Sequence, residues 1–266
     1  MNKKIKIVLI ILGTILGIAL LIPVGLWAMF AVAEAKQDVE EKSLKDKGIS
    51  YVVKHLETKY PNMEFEIIEA EAEELYNGFV HGGWGDTVEV EVESNDIEYL
   101  VCVDISKDEN NCYDNVQEKE IKQAIKNKLI KISGIKTDYE LELDMTHYWE
   151  EFCFNGKYEG NITEFLQKEY NISENWEFTA HIGYADGIED FNINEDDAQF
   201  LDLFDIVAFI NFKDKIPSAM YSYYKGEYIV EALWDRQILF NNVWTYRKST
   251  KEFKDVSTEM TRTAVC

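Results

Sequence analysis

From Ile7 to Ala33 the chain holds no charged residue, and the six residues before it, MNKKIK, carry three lysines. As a helix this apolar run would be about 40 Å long, more than the roughly 30 Å hydrocarbon core of a bilayer, so it predicts a transmembrane helix. The next stretch, KQDVEEKSLKDKG (36–48), is polar without a strong apolar face and reads as a linker or a solvated first turn. Val52, Leu56 and Tyr60 then recur every four residues, with Val53 beside them and Pro61 after, which predicts a short amphipathic helix. EFEIIEAEA follows as a strand. Glycines at 78, 82, 83 and 85 interrupt any period, and FVHGGWGD reads as a turn. From Thr87 the alternation is strict: Val88, Val90 and Val92 face one side, Glu89, Glu91 and Glu93 the other. That is a half-buried antiparallel strand with a carboxylate-rich outer face. SND makes a turn and IEYLVCVDI returns, so a hairpin is expected over residues 87–105.

After the polar SKDENN loop, Asn115 followed by Glu118 signals a helix start, and Ile121, Ile125, Leu129 and Ile132 form one stripe that Gly134 terminates. The stripe is expected to pack on the preceding hairpin. DYELELDM predicts a strand, GNITEFLQKEYNIS a helix begun at Asn161 and Glu164, and ENWEFTAHIGY another strand. NEDDAQFLDLFDIVAFINF reads as a helix buried through Phe200, Leu203, Phe204 and Val207, and Pro217 breaks the chain soon after it. EYIVEALW and QILFNNVWTYR fit two strands, or one helix and a strand, and the tail from Lys248 is expected to fray. HLETKYPNMEFEIIE and FLQKEYNISENWEFTAH share an order of helix end, polar break and strand, consistent with a diverged duplication. The reading is an α+β protein: an N-terminal transmembrane helix or signal segment (1–35), then small antiparallel sheets with packed helices in two units, 36–134 and 135–266.

The order of HLETKY, MEFEIIEA, glycine loop, hairpin and YDNVQEKEIKQAIKNKLI resembles uncharacterised exported or membrane-anchored proteins of Gram-positive bacteria, over residues 50–132. The resemblance implies an extracytoplasmic location and a helix lying on a small antiparallel sheet. It carries no activity and no site residues.

Composition sharpens the location. The length of the apolar run argues for a retained anchor, whereas Ala31, Ala33 and Ala35 give the small-x-small pattern of a cleaved signal peptide. Both readings export the remainder, and Lys3, Lys4 and Lys6 stay cytoplasmic by the positive-inside tendency. From Lys36 onward lie 24 of the 27 basic and 49 of the 50 acidic residues, a formal charge of −25. Such a surface repels nucleic acid and anionic lipid, and favours cations or basic proteins as partners. Cys102, Cys112, Cys153 and Cys266 show no zinc spacing; Cys102 with Cys112 is the nearest pair for a disulfide, the alternative being free buried thiols.

Candidate chemistry is sparse. His81 and Asp86 could act as base and orienter, with Gly82 and Gly83 offering N–H groups to an anion, but no serine or cysteine lies between Ser50 and Ser94. His81, Trp84 and Asp86 are therefore candidate binding residues, not catalytic ones. Asp104, Ser106, Asp108 and Asn110, and again Asp190, Asn192, Asn194 and Asp196, have calcium-loop spacing but lack the required glycine and terminal glutamate. His55, His81, His147 and His181 have no metal-ligand spacing. The expectation is an acidic extracytoplasmic domain, anchored by a single span, that binds or scaffolds an envelope component such as a protein, without cofactor, metal or nucleic acid. The alternative is an exported hydrolase or carbohydrate-active domain.

Overall fold

The computed structural model describes residues 27, 33–77, 80–107, 111–135, 139–147, 150–172, 177–184, 191–212 and 240–257. The predicted span, EYIVEALW and Cys266 lie outside the described residues, apart from Trp27 and the end of the apolar run. Among the described residues no helix is long and apolar enough to cross a membrane. The protein is α+β, built on two sheets.

Helix α1 occupies residues 33–59, so the polar stretch 36–48 is helical and not a linker. It is rich in strong helix formers, and an i,i+4 pair, Glu41 to Lys45 at 2.5 Å, supports the exposed turns. Gly48 sits buried inside the helix. A Cβ there would lie 2.6 Å from Cγ1 of Val88, so the missing side chain is what lets α1 approach the sheet.

The first sheet is an antiparallel meander, β1 (Glu66–Asn77), β2 (Val80–Ser94), β3 (Ile97–Asp104) and β4 (Cys112–Asp114). Val52 and Leu56 of α1, with Tyr60 just after it, pack on Val88, Val90, Val92, Val101 and Val103. The expected β2–β3 hairpin is present, and Asn95 and Asp96 take φ of 54° and 61°, the mirror-image turn that suits strand twist. From Val80 the glycine stretch departs from expectation: it is strand, not turn, with Gly83 opposite Leu75 and His81 opposite Tyr76, while Gly78 and Phe79 lie outside the described residues. Register shifts at Ala72/Glu74 and Leu75/Tyr76 absorb the irregularity, and Gly83 adopts φ 126°, where a side chain would be strained.

The second sheet has the order β10-β9-β8-β7-β5-β6, from β5 (Tyr139–His147), β6 (Glu150–Glu151), β7 (Glu177–Tyr184), β8 (Ile206–Phe212), β9 (Phe240–Arg247) and β10 (Glu252–Asp255). Only β7 and β8 run parallel among its pairs, with α4 (Glu195–Leu201) in the connection between them. The two sheets thus differ in topology. The predicted helix through Val207 stops at Leu201, because IVAFINF is a β-branched and aromatic run buried along its length, as an interior strand requires. Of the tail expected to fray after Lys248, residues 252–255 form β10, paired with β9, and residues 258–266 lie outside the described residues.

Helix α2 (Glu118–Ser133) begins one residue after Gln117, which makes no side-chain cap; Asn115 instead accepts from the Leu100 N–H at 2.9 Å. Its stripe packs not on the hairpin but with Phe152, Phe178, Phe204 and Phe209 in a second core, which α3 (Ile162–Ile172) also enters through Phe165 and Leu166. The reason is area: aromatic side chains there offer far more surface than the hairpin valines, which α1 already covers. Gly134 caps α2 at φ 69°, its N–H bonded to the Ile130 carbonyl at 2.9 Å. Gly134→Ala is expected to cost about 1 kcal/mol, read as a lower denaturation midpoint with unchanged slope.

Candidate functional site

The last turns of α1 carry His55 and Lys59 four residues apart, hence on one face, with Tyr60 just beyond. All three converge on Asp114, at the end of the short strand β4, whose side chain is fully buried. His55 Nε2 and Lys59 Nζ each lie 2.7 Å from Oδ2. The Tyr60 hydroxyl and the Val116 N–H donate to Oδ1 at 2.9 and 3.1 Å. The backbone of Asp114 exchanges both bonds with Phe154, and Lys59 also donates to the Phe154 carbonyl at 2.9 Å. One carboxylate therefore ties the end of α1, the edge of the first sheet and the 152–156 segment together.

Burial alone would raise the Asp114 pKa, but the His55 bond and the Lys59 charge outweigh it and hold the carboxyl below its usual range. Nearby Glu169 of α3 accepts from the Asn155 and Gly156 N–H groups at 3.0 and 2.9 Å. There burial prevails over those bonds and the pKa is raised. Tyr60 is pushed up by the same burial and by Asp114.

A histidine on an aspartate is the start of a nucleophile-activating set, but the thiol beside it is unsuited to the task. Cys112 is buried in the first core, and burial followed by the Asp114 charge pushes it up to about 12. A thiol so raised is inert near neutral pH. Cys102 cannot bridge to it, because Cys112 lies opposite Val103 while Cys102 lies opposite Tyr113, so neighbouring register positions send the two sulfurs to opposite faces. Among the described residues no disulfide forms, and Cys102, Cys112 and Cys153 are all buried. The Asp114 cluster is a structural junction.

The outer face of the first sheet has a different character. The register sets Glu66 opposite Glu93, Glu69 opposite Glu91 and Glu71 opposite Glu89. Across β2 and β3, Glu93 also faces Glu98. Directly opposed like charges destabilise a sheet. Glu66, Glu69, Glu71 and Glu91 are exposed, and none of these four forms an ion pair among the described residues.

Of the three residues singled out by sequence, Trp84 is half-buried against the first core, its indole N–H donating to the Gln37 carbonyl of α1 at 3.3 Å. It also lines an acidic recess of about 420 Å³ together with Glu41, Glu71, Glu73 and Glu74. Asp86 is exposed, and its carbonyl accepts from the Ile105 N–H at 2.7 Å. His81 lies five residues before Asp86 on the irregular part of β2. For the His81 side chain no placement is described.

Of the two calcium-like loops, Asp108, Asn110 and Asp190 lie outside the described residues, and described members act as backbone caps. Asp104 accepts from the Ser106 N–H at 3.0 Å and hydroxyl at 2.6 Å, and Asn194 caps α4 with a reciprocal bond from Asp197. Among the described residues no cluster of three metal-ligating side chains occurs. His55, Lys59, Tyr60, Asp114 and Glu169 escaped sequence reasoning. Their one signal in the sequence was a histidine and a lysine flanking the buried Leu56 on the apolar stripe. Comparison with protein-family models, with curated proteins and with solved structures finds no match to the chain.

Proposed function

We propose that this chain is a membrane-anchored binding protein whose acidic domain lies outside the membrane and contacts a cationic envelope component, a basic protein surface in particular. The observation that carries this is the ladder of opposed glutamates on the first sheet, Glu66/Glu93, Glu69/Glu91 and Glu71/Glu89. Such pairs cost stability in the isolated domain, and a partner bearing positive charge would remove that cost on binding. The acidic recess beside Trp84 extends the same charged surface toward α1. The described part of α1, residues 33–59, is about 40 Å long and follows the apolar run in sequence, which suits a rigid stand-off from the bilayer.

The test is crosslinking of the tagged full-length protein in its native membrane, with mass spectrometry of the captured proteins. The wild type is expected to capture a discrete stoichiometric partner with a basic surface. The triple variant Glu69→Gln/Glu71→Gln/Glu91→Gln is expected to lose most of it while becoming more stable to denaturant, by about 0.2–1 kcal/mol for each relieved pair. Loss of binding with a gain in stability separates a contact surface from a structural one. Recovery of the protein alone, or equal capture by the variant, overturns the proposal.

A further inference from the structure

A groove of about 750 Å³ opens between the tip of the β2–β3 hairpin and the first turns of α2, with Tyr158 and Gly160 on its far side. That volume lies within the range of about 300–1,000 Å³ usual for small-ligand sites. On its α2 wall Gln123 donates to Oδ1 of exposed Asn127 at 2.8 Å, leaving the Gln123 carbonyl oxygen and the Asn127 amino group for an outside group. Gln117 is held in place from both ends: its Oε1 accepts from the Tyr158 N–H at 2.8 Å and its Nε2 donates to the Tyr158 carbonyl at 3.1 Å.

Tyr158 itself supplies the sharper observation. It is only 8% exposed, its ring stands edge-on to Phe165 at 5.5 Å, and its hydroxyl makes no hydrogen bond among the described residues. The ring is buried while the hydroxyl, which is not among the buried unpaired atoms, reaches the solvent of the groove and can exchange water for a ligand's hydroxyl. Tyr158 lines the groove, where Glu120 also stands, and burial followed by the Glu120 charge raises the phenol pKa.

We propose that this groove binds a neutral saccharide, with the Tyr158 hydroxyl and the Gln123/Asn127 amide pair hydrogen-bonding its hydroxyl groups. Glu98, Glu118 and Glu120 against Lys119 make the lining net acidic, which disfavours anionic ligands. An extended peptide would need free backbone groups at the rim, but the Leu100 N–H is taken by Asn115 and both backbone groups of Tyr158 by Gln117. Sugar hydroxyls donate to carboxylates and amide oxygens and accept from amide and phenol protons, so this mixture of groups suits them. The half-buried ring of Tyr99 offers an apolar surface for the C–H face of a pyranose.

The full-length protein in lipid nanodiscs is titrated with cellohexaose, maltohexaose and chitohexaose up to about 10 mM, covering the weak end of specific affinity, and binding is read by saturation-transfer NMR. At least one is expected to bind saturably. Tyr158→Phe is expected to weaken it about 3- to 10-fold, and Gln123→Ala/Asn127→Ala by at least as much. Tyr158→Phe removes an oxygen that bonds nothing else among the described residues, so an unchanged melting temperature assigns the loss to binding. No saturable binding of any of the three, or binding unchanged in both variants, overturns the proposal. The groove is separate from the Glu69/Glu71/Glu91 surface, so this result and the crosslinking result stand or fall independently.

Discussion

Asp114→Ala lowers stability by about 3–5 kcal/mol, the cost of leaving a buried cation without its counter-charge. Lys59 is 7% exposed at its side chain and loses its carboxylate, while Tyr60 and the Val116 N–H lose their acceptor. Chemical denaturation followed by tryptophan fluorescence reads the effect as a midpoint shift. Adding Lys59→Met to the Asp114→Ala background recovers part of the loss, because the cation then no longer needs a partner; an additive double variant would contradict the ion pair. The pH dependence has a defined sign. The folded pKa of Asp114 is depressed, so its contribution is present above the ordinary carboxylate range and is lost as pH falls through the folded value. The raised pKa of Glu169 acts oppositely: its contribution is full below the ordinary value and declines as pH rises through the folded one. Asp114→Ala therefore flattens the acid limb of the stability profile, and Glu169→Ala flattens the limb at higher pH.

Gly48→Leu is expected to be the most damaging single change in the first core. The first added atom already meets Val88, itself fully buried, at 2.6 Å. Overpacking of this kind costs about 1–3 kcal/mol even where the structure adjusts. Gly48→Ala is milder, since removing a mid-helix glycine returns up to about 1 kcal/mol of helix propensity. Val88→Ala in the Gly48→Ala background should relieve the overlap, so the double variant is predicted to be more stable than the sum of the single effects. Urea titration of the four proteins provides the measurement, and a double variant equal to the sum of the single effects would show that α1 does not need its close approach.

Much of the fold is legible where one face of an element meets water. The strict alternation from Thr87 to Glu93 names the faces of β2 without any knowledge of register, and Gly134 marks the end of α2. The same logic fails where both faces are covered. IVAFINF carries no alternation because β8 is buried throughout, so in sequence it reads as a continuation of the helix before it. Gly82, Gly83 and Gly85 resemble a turn because glycine is the usual turn residue, whereas here they lie in an irregular strand in which Gly83 takes a φ of 126°. Asn115 resembles a helix cap, yet its side chain serves the Leu100 N–H across the strands.

Local pattern, then, settled the α+β class, the acidic surface, the β2–β3 hairpin and the amphipathic faces of α1 and α2, because each depends on residues within a few positions of one another. Which core α2 joins, which glutamates oppose each other, and the meeting of His55, Lys59 and Tyr60 with Asp114 depend on residues distant in sequence. The same holds for the groove, where Tyr158 comes to stand near Gln123 and Asn127. Register and packing bring such groups together, and they are chosen by the free energy of the whole fold, not by the preferences of any one segment.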